Sequence, residues 1–315
     1  MKQVKKTCVA LLAGGKSGER EVSLKGAAGF LEAIDRTRFE VLQYDPATDL
    51  AKLAADSGKI DVAFILLHGL YGEDGTVQGF LDLLGIPYQG SGVLGSAIAM
   101  NKHLSKELYR QNGLPVADWV MARPEDMKSS RRILERLDLP LVIKPACEGS
   151  SLGMSIAETE DELMDGITEA FRYDSEVMVE QFIRGRELTC GVLGNEELTP
   201  LPLVEIIPGE EYRFFDYEAK YQPGASTEIC PAEVDDEIRD LAMKYGVEAH
   251  KVLRLRGYSR TDMILDEQGR LYLLETNTIP GMTPTSLLPQ AAAEYGLGFS
   301  KLIERLLELA VEKKT

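Results

Sequence analysis

Glu275 and Asn277 lie two residues apart in the run Leu273-Leu274-Glu275-Thr276-Asn277-Thr278-Ile279-Pro280-Gly281-Met282-Thr283, which begins as a buried strand and ends in a Pro-Gly turn. Residues at that spacing on a strand share a face. Just upstream, Arg260-Thr261-Asp262-Met263-Ile264-Leu265 reads as a second strand, with Asp266-Glu267-Gln268-Gly269 as the turn between the two. A hairpin of these strands brings Asp262 beside Glu275 and Asn277. Three oxygen side chains at the end of an apolar strand make a poor core, but they suit a hard cation that keeps waters and binds through nucleotide phosphates. The competing reading, a solvated hairpin with ordinary surface charges, has to explain Asn277 and the Pro-Gly-Met-Thr turn separately.

A second set of residues suits phosphate. Lys144-Pro145-Ala146-Cys147-Glu148-Gly149-Ser150-Ser151-Leu152-Gly153 places a lysine at a strand end before a hydroxyl-rich glycine loop. Backbone N–H groups in such a loop can wrap phosphate oxygens while the lysine supplies a point charge. Lys102 and Lys220 add lysines near polar turns, although each alone reads as a solvated charge. Val179-Glu180-Gln181-Phe182-Ile183, with Glu187 shortly after, reads as a connecting segment. Such a segment can offer backbone amides to an adenine edge and carboxylates to ribose hydroxyls.

The elements that must position these groups follow from the apolar pattern. Strands at Val9–Ala13, Phe39–Tyr44 and Val62–Leu67 alternate with helices at about Val22–Ile34 and Val77–Leu84, which implies a parallel α/β sheet. Ligands bind such sheets at the carboxyl ends of their strands, where Glu19 and His68 fall. Gly14-Gly15-x-x-Gly18 fits neither the dinucleotide fingerprint nor the Walker spacing, so a nucleotide is expected elsewhere. A helix at Lys102–Asn112 precedes a junction at Gly113–Ala117. The central stretch, with strands at Leu141–Lys144, Met154–Ala157 and Val177–Gln181 and a helix at Asp161–Phe171, reads as a small antiparallel α+β unit. The last helix carries one apolar stripe, Phe299, Leu302, Ile303, Leu306 and Ala310, as core packing requires.

The segment from Ile207-Pro208-Gly209 to Pro223-Gly224-Ala225-Ser226 breaks this pattern. It holds Tyr212, Phe214, Phe215, Tyr217, Lys220 and Tyr221 with little periodicity, and a long loop of that kind in a compact domain reads as a lid. With 51 acidic against 35 basic residues in 315, the net charge of −16 argues against general nucleic-acid binding. No apolar run is long enough to span a bilayer, and four scattered cysteines with no C-x-x-C spacing suit free thiols in a cytoplasm. Cys147 as a nucleophile would need a histidine, and His68, His103 and His250 are all remote from it in sequence.

Together these segments resemble the ATP-grasp superfamily and, within it, the D-alanine–D-alanine ligases. The resemblance rests on Gly14 to Leu24, His68 to Gly79, Lys144-Pro145 with Glu148-Gly149-Ser150-Ser151, Tyr217-Glu218-Ala219-Lys220-Tyr221, Arg260-Thr261-Asp262, and Glu275 to Thr283 with Ser286-Leu287. It implies an α/β and α+β, three-domain ATP-grasp architecture. The units would be an N-terminal parallel α/β substrate-binding domain (1–102), a central subdomain (103–186) and a C-terminal subdomain (187–315) with the lid at 208–226.

The activity implied is ATP-dependent joining of two D-alanines for peptidoglycan precursors, through an acyl phosphate. Two Mg²⁺ (or Mn²⁺) would be held by Asp262, Glu275 and Asn277, with K⁺ a further candidate ion. ATP would meet Lys102, Lys144, Glu148, Ser150, Ser151, Glu180, Gln181, Phe182, Ile183, Glu187 and Lys220. Glu19 would hold the ammonium of the first D-alanine, beside His68, for which a packing role is the alternative. Ser286 and Leu287 would hold the second D-alanine. Arg260 and the Gly281 N–H would stabilise oxyanions, while Glu19, Ser150 and Tyr221 would latch the closed site. A homodimer is the implied assembly, with neither nucleic acid nor membrane as partner.

The chain departs from the family pattern at Asn101, usually Asp, and at Gln181, often Lys. Ligases of this family that use D-lactate usually lack the tyrosine at 221; D-serine as second substrate stays open.

Overall fold

The computed structural model describes residues 5–149, 152–209 and 226–312. It contains three sheets, each carrying one part of the site. In the first, β1 (Thr7–Leu12) lies between β2 (Phe39–Tyr44) and β3 (Val62–Ile65), all parallel. β1 and β3 are buried almost throughout, as a sheet covered by helices on both faces requires. The second sheet is antiparallel, in the order β4 (Trp119–Met121), β7 (Val177–Gln181), β5 (Leu141–Pro145), β6 (Ser155–Ala157). It has its own core, in which Ile143 and Val179 meet Leu163 and Ile167 of the helix Glu160–Ala170. Thr159 and Glu162 close that helix with a reciprocal capping box.

The third sheet runs β11 (Ser226–Ile229), β10 (Val204–Pro208), β8 (Gly185–Gly194), β12 (Gly257–Asp266), β13 (Leu271–Asn277), with the short β9 (Thr199–Pro200) beside β8. Most element ends lie within two residues of the sequence expectation, the range over which helix and strand ends fray, while β12 begins three residues earlier than expected, at Gly257. Several elements were not assigned from sequence, among them β8, β10 and the helices Val93–Met100 and Asp236–Val252. β8 is buried on both faces over most of its length, so it shows no polar–apolar alternation. Pro208 and Ser226, the expected ends of the lid, are paired strand residues. The aromatic positions between them lie outside the described residues.

Two packings cross the sequence order. Tyr109 and Leu114 cluster with Leu188, Met263 and Leu273, which seats the helix Lys102–Gln111 on the third sheet. In the final helix, Phe299–Val311, the stripe residues Leu302, Ile303, Leu306 and Ala310 are buried with Val9, Leu11, Phe30 and Phe64 of the first unit. The end of the chain therefore completes the core of its beginning. Among the described residues no helix is long and apolar enough to cross a membrane.

Candidate active site

β12 and β13 pair with Asp262 opposite Glu275 and Arg260 opposite Asn277. Between Glu275 and Leu273 the register slips by one residue, leaving Leu274 as a bulge. Leu274 and Glu275 consequently line the same cavity, although adjacent strand residues ordinarily face apart. On the reverse face, Thr261 and Thr276 hydroxyls meet at 2.9 Å, and the Tyr109 hydroxyl bonds Thr276 at 2.6 Å. That anchor fixes the helix whose first residue is Lys102. Lys102 Nζ donates to the Glu148 carbonyl at 2.6 Å and lies 3.6 Å from Glu275 Oε2.

Asp262 is saturated. Thr189 Oγ1 and Arg260 Nε donate to Oδ1 at 2.7 and 2.8 Å, while Arg260 Nη2 and Asn277 Nδ2 donate to Oδ2 at 2.7 and 3.0 Å. A carboxylate offers about four lone-pair directions, and all four are used. Burial works against the Arg260 charge, but Asp262 outweighs it and Glu275 and Glu187 add to it, so the guanidinium stays firmly protonated. Among the described residues no group of three His, Cys, Asp or Glu could hold a metal ion. The oxygen-only trio still fits a hard cation, because one half-turn of the Asn277 amide frees an Asp262 lone pair and brings an Asn277 oxygen to face it.

Two cavities meet at these strands. The first runs between the second and third sheets, walled by Val142, Met154, Ile156, Ile264 and Leu274. All eight described residues expected around ATP line it: Lys102, Lys144, Glu148, Glu180, Gln181, Phe182, Ile183 and Glu187. The apolar walls were not singled out from sequence; their signal is the strand alternation that places Val142 with Lys144 and Ile264 with Asp262. The Glu180 carboxylate is engaged by Lys144 at 2.5 Å and by Lys106. Gln181 uses its amide to pin the loop at Asp138 and Pro140.

The second cavity brings together Glu19, His68, Arg260, Asn277, Gly281 and Ser286, with Leu287 at its edge. Lys102, Glu148, Gly149 and Glu275 line both cavities. Glu19 is buried at the start of the helix Arg20–Ala33, where its amide donates to Ser17 Oγ, and that hydroxyl donates to the His68 carbonyl at 2.7 Å. Its carboxylate packs against two glycines: a Cβ on Gly69 or Gly149 would stand 3.0 or 2.9 Å from Glu19 Oε2. Gly69 also has φ +68°, a value that favours glycine. Gly281 is similarly close to Ser286, whose Oγ accepts from the Thr283 N–H at 3.1 Å and sits ahead of the helix Leu287–Glu294. Ser150, Ser151, Lys220 and Tyr221 lie outside the described residues.

His68 is brought low, to about 4, by burial, with Arg260 adding to the effect, so it is neutral at neutral pH. Its ring bonds the Ile279 backbone. His103 and His250 are engaged elsewhere, by Trp119 and Ser259. Burial, Asp174 and Glu176 push the Cys147 thiol up to about 11, which removes it as a nucleophile at neutral pH.

Glu73 stands within the His68–Gly79 motif, where its type alone gives no role. Its carboxylate accepts from the Gly69 N–H at 2.8 Å and the Ile279 N–H at 3.3 Å, tying the first unit to the loop after β13. Burial and the nearby Glu19 charge push it up to about 8. The proton on a group with a raised folded-state pKa contributes fully below the unfolded value and is lost as pH rises through the folded value. Wild-type stability is therefore expected to fall between about pH 5 and pH 8, and Glu73→Gln to flatten that slope. Melting temperatures of both proteins at several pH values check this, with a difference that shifts by a few degrees across the window. Parallel profiles would detach Glu73 from it.

Comparison with known proteins matches residues 108–308 to the family described as D-ala D-ala ligase C-terminus and residues 45–91 to D-ala D-ala ligase N-terminus. The chain is 61% identical to the D-alanine–D-alanine ligase of Desulfotalea psychrophila, over 97% of this chain and 95% of that protein. It is also similar to the crystal structure of the Bacillus anthracis D-alanine–D-alanine ligase complexed with ATP. The TM-score there is 0.84 at 33% identity, over 97% of both chains. A D-Ala:D-Ser ligase from Enterococcus faecalis gives the same TM-score, 0.84, at 31% identity, over 98% of this chain and 100% of that one.

Proposed function

The chain belongs to the D-alanine–D-alanine ligase family of ATP-grasp enzymes, and from that premise we propose that it joins two D-alanines at the junction of its two cavities, supplying dipeptide for peptidoglycan precursors. The observation that carries this reading is the shared wall of Lys102, Glu148, Gly149 and Glu275. A nucleotide lying in the apolar cavity would present its γ-phosphate there, to a substrate held in the polar one.

Adenine would stack in the slot beside Phe182 and Ile183, Glu187 would take the ribose, and Lys144 and Lys102 would neutralise phosphate oxygens. The carboxylate of the first D-alanine, its ammonium on Glu19 and neutral His68 beside it, attacks the γ-phosphorus. The bond to the β-phosphate oxygen breaks, giving acyl phosphate and ADP. The second D-alanine, its carboxylate at Ser286 and Leu287 where a helix begins, attacks the acyl carbon through its neutral amine. Arg260 and the Gly281 N–H receive the charge that builds on the carbonyl oxygen, and inorganic phosphate leaves, taking up the proton the amine gives up. Two divalent cations held by Asp262, Glu275 and Asn277 would supply charge neutralisation at the transferring phosphoryl group. Lys220 would add a charge at the γ-phosphate, Ser150 and Ser151 would join the phosphate loop, and Ser150 with Tyr221 would link to Glu19.

Phosphate release from ATP, measured against D-alanine, L-alanine, D-serine and D-lactate, tests the reading. Release that depends on D-alanine, is absent with L-alanine and yields D-alanyl-D-alanine is expected. Product formed mainly with D-serine or D-lactate added to D-alanine would reassign the second substrate, and no release with D-alanine would overturn the reading.

A further inference from the structure

Lys106 lies one turn beyond Lys102 on the same helix face and has no solvent exposure. A lysine so deep is costly unless fully paired. Its ammonium pairs with Glu180 on β7 and donates to the Leu273 carbonyl on β13 at 3.1 Å, so it joins the second and third sheets from behind the nucleotide cavity. The same Glu180 holds Lys144 at 2.5 Å from the neighbouring strand, where Glu180 is opposite Val142 and therefore diagonal to Lys144. Burial alone would push the Glu180 carboxyl up, but the two lysines outweigh it and hold it below its ordinary value. One carboxylate shared between two ammoniums cannot cancel both.

We infer that Lys106 is a positioning residue for nucleotide phosphates: by holding one side of Glu180 it keeps Lys144 aimed into the cavity with charge to spare. The inference rests on the nucleotide reading of that cavity. Without Lys106, Glu180 would have Lys144 as its only cation, and the pair would close on itself. A salt bridge that merely stabilised the fold would not care whether a ligand carries phosphate.

The test is calorimetric binding of ADP, a non-hydrolysable ATP analogue and adenosine to wild type, Lys106→Met and the charge-matched double variant Lys106→Met/Glu180→Gln. Lys106→Met is expected to bind the two phosphorylated ligands at least about tenfold more weakly, about 1.4 kcal/mol, with adenosine unchanged. The double variant is expected to regain most of that loss. Equal weakening of adenosine, no weakening at all, or no recovery in the double variant would overturn the inference. If Lys106→Met does not fold, the double variant, which keeps the wild-type net charge, must bind ADP close to wild type or the inference fails. A wild type that binds none of the phosphorylated ligands would instead overturn the nucleotide reading itself.

Discussion

Replacing Arg260 by methionine is expected to lower turnover by about 10²–10³-fold, the loss typical of removing one preorganised oxyanion donor. The guanidinium is fixed by a two-pronged bond to Asp262 and lines the cavity that also holds Glu19 and Gly281. It therefore needs no rearrangement when charge develops on a carbonyl or phosphoryl oxygen in front of it. Methionine keeps much of the side-chain volume but leaves Asp262 with Thr189 and Asn277 as its remaining bonds. Part of any loss could thus come from a displaced Asp262. Arg260→Lys separates the effects, since it keeps the charge and loses the fork, and should fall between wild type and Arg260→Met. Steady-state kinetics at saturating substrates, with circular dichroism as the fold check, decide it. Turnover of Arg260→Met within about threefold of wild type would remove Arg260 from the reacting centre.

Glu275→Gln should cost at least about tenfold in turnover, roughly 1.4 kcal/mol of transition-state stabilisation. The substitution preserves shape and removes one negative charge from a cluster proposed to hold divalent cations against a triphosphate. It also leaves Lys102, 3.6 Å away, without that carboxylate. Part of the deficit should yield to higher Mg²⁺, because a weakened ligand set fills at higher ion concentration. A folded variant with near wild-type turnover at saturating Mg²⁺ would place Glu275 outside the metal shell.

What could be read from sequence was what depends on neighbours in sequence. Glu275 and Asn277 share a face by the period of two along one strand, and the bulge at Leu274 then brings Asp262 of the partner strand opposite Glu275. The bulge at Leu274 could not be read, because it arises from the pairing and not from a special residue. Glu73 and Lys106 were invisible for a different reason. An ordinary glutamate becomes a half-buried one with a raised pKa only when the Ile279 N–H, more than two hundred residues later, meets it. Lys106 looks like a solvated helix lysine until Glu180 and Leu273 arrive from two other sheets. The same distance effect applies to Glu180, whose ion pairs with Lys106 and Lys144 come from other elements. Amphipathicity announced that the last helix must bury a stripe, yet held no information on which sheet would receive it.

The return of that helix to the first sheet matters for a chain still being made. Val9, Leu11, Phe30 and Phe64 emerge from the ribosome more than two hundred residues before Leu302, Ile303 and Leu306, which cover them. Until then the N-terminal unit presents an apolar face to its surroundings, the condition under which nascent chains engage chaperones or aggregate. A stalled chain ending before residue 299 is therefore expected to bind a hydrophobic dye or a chaperone strongly, and release of the full chain to abolish that binding. Equal binding by both would mean that the first unit finds another way to cover itself during synthesis.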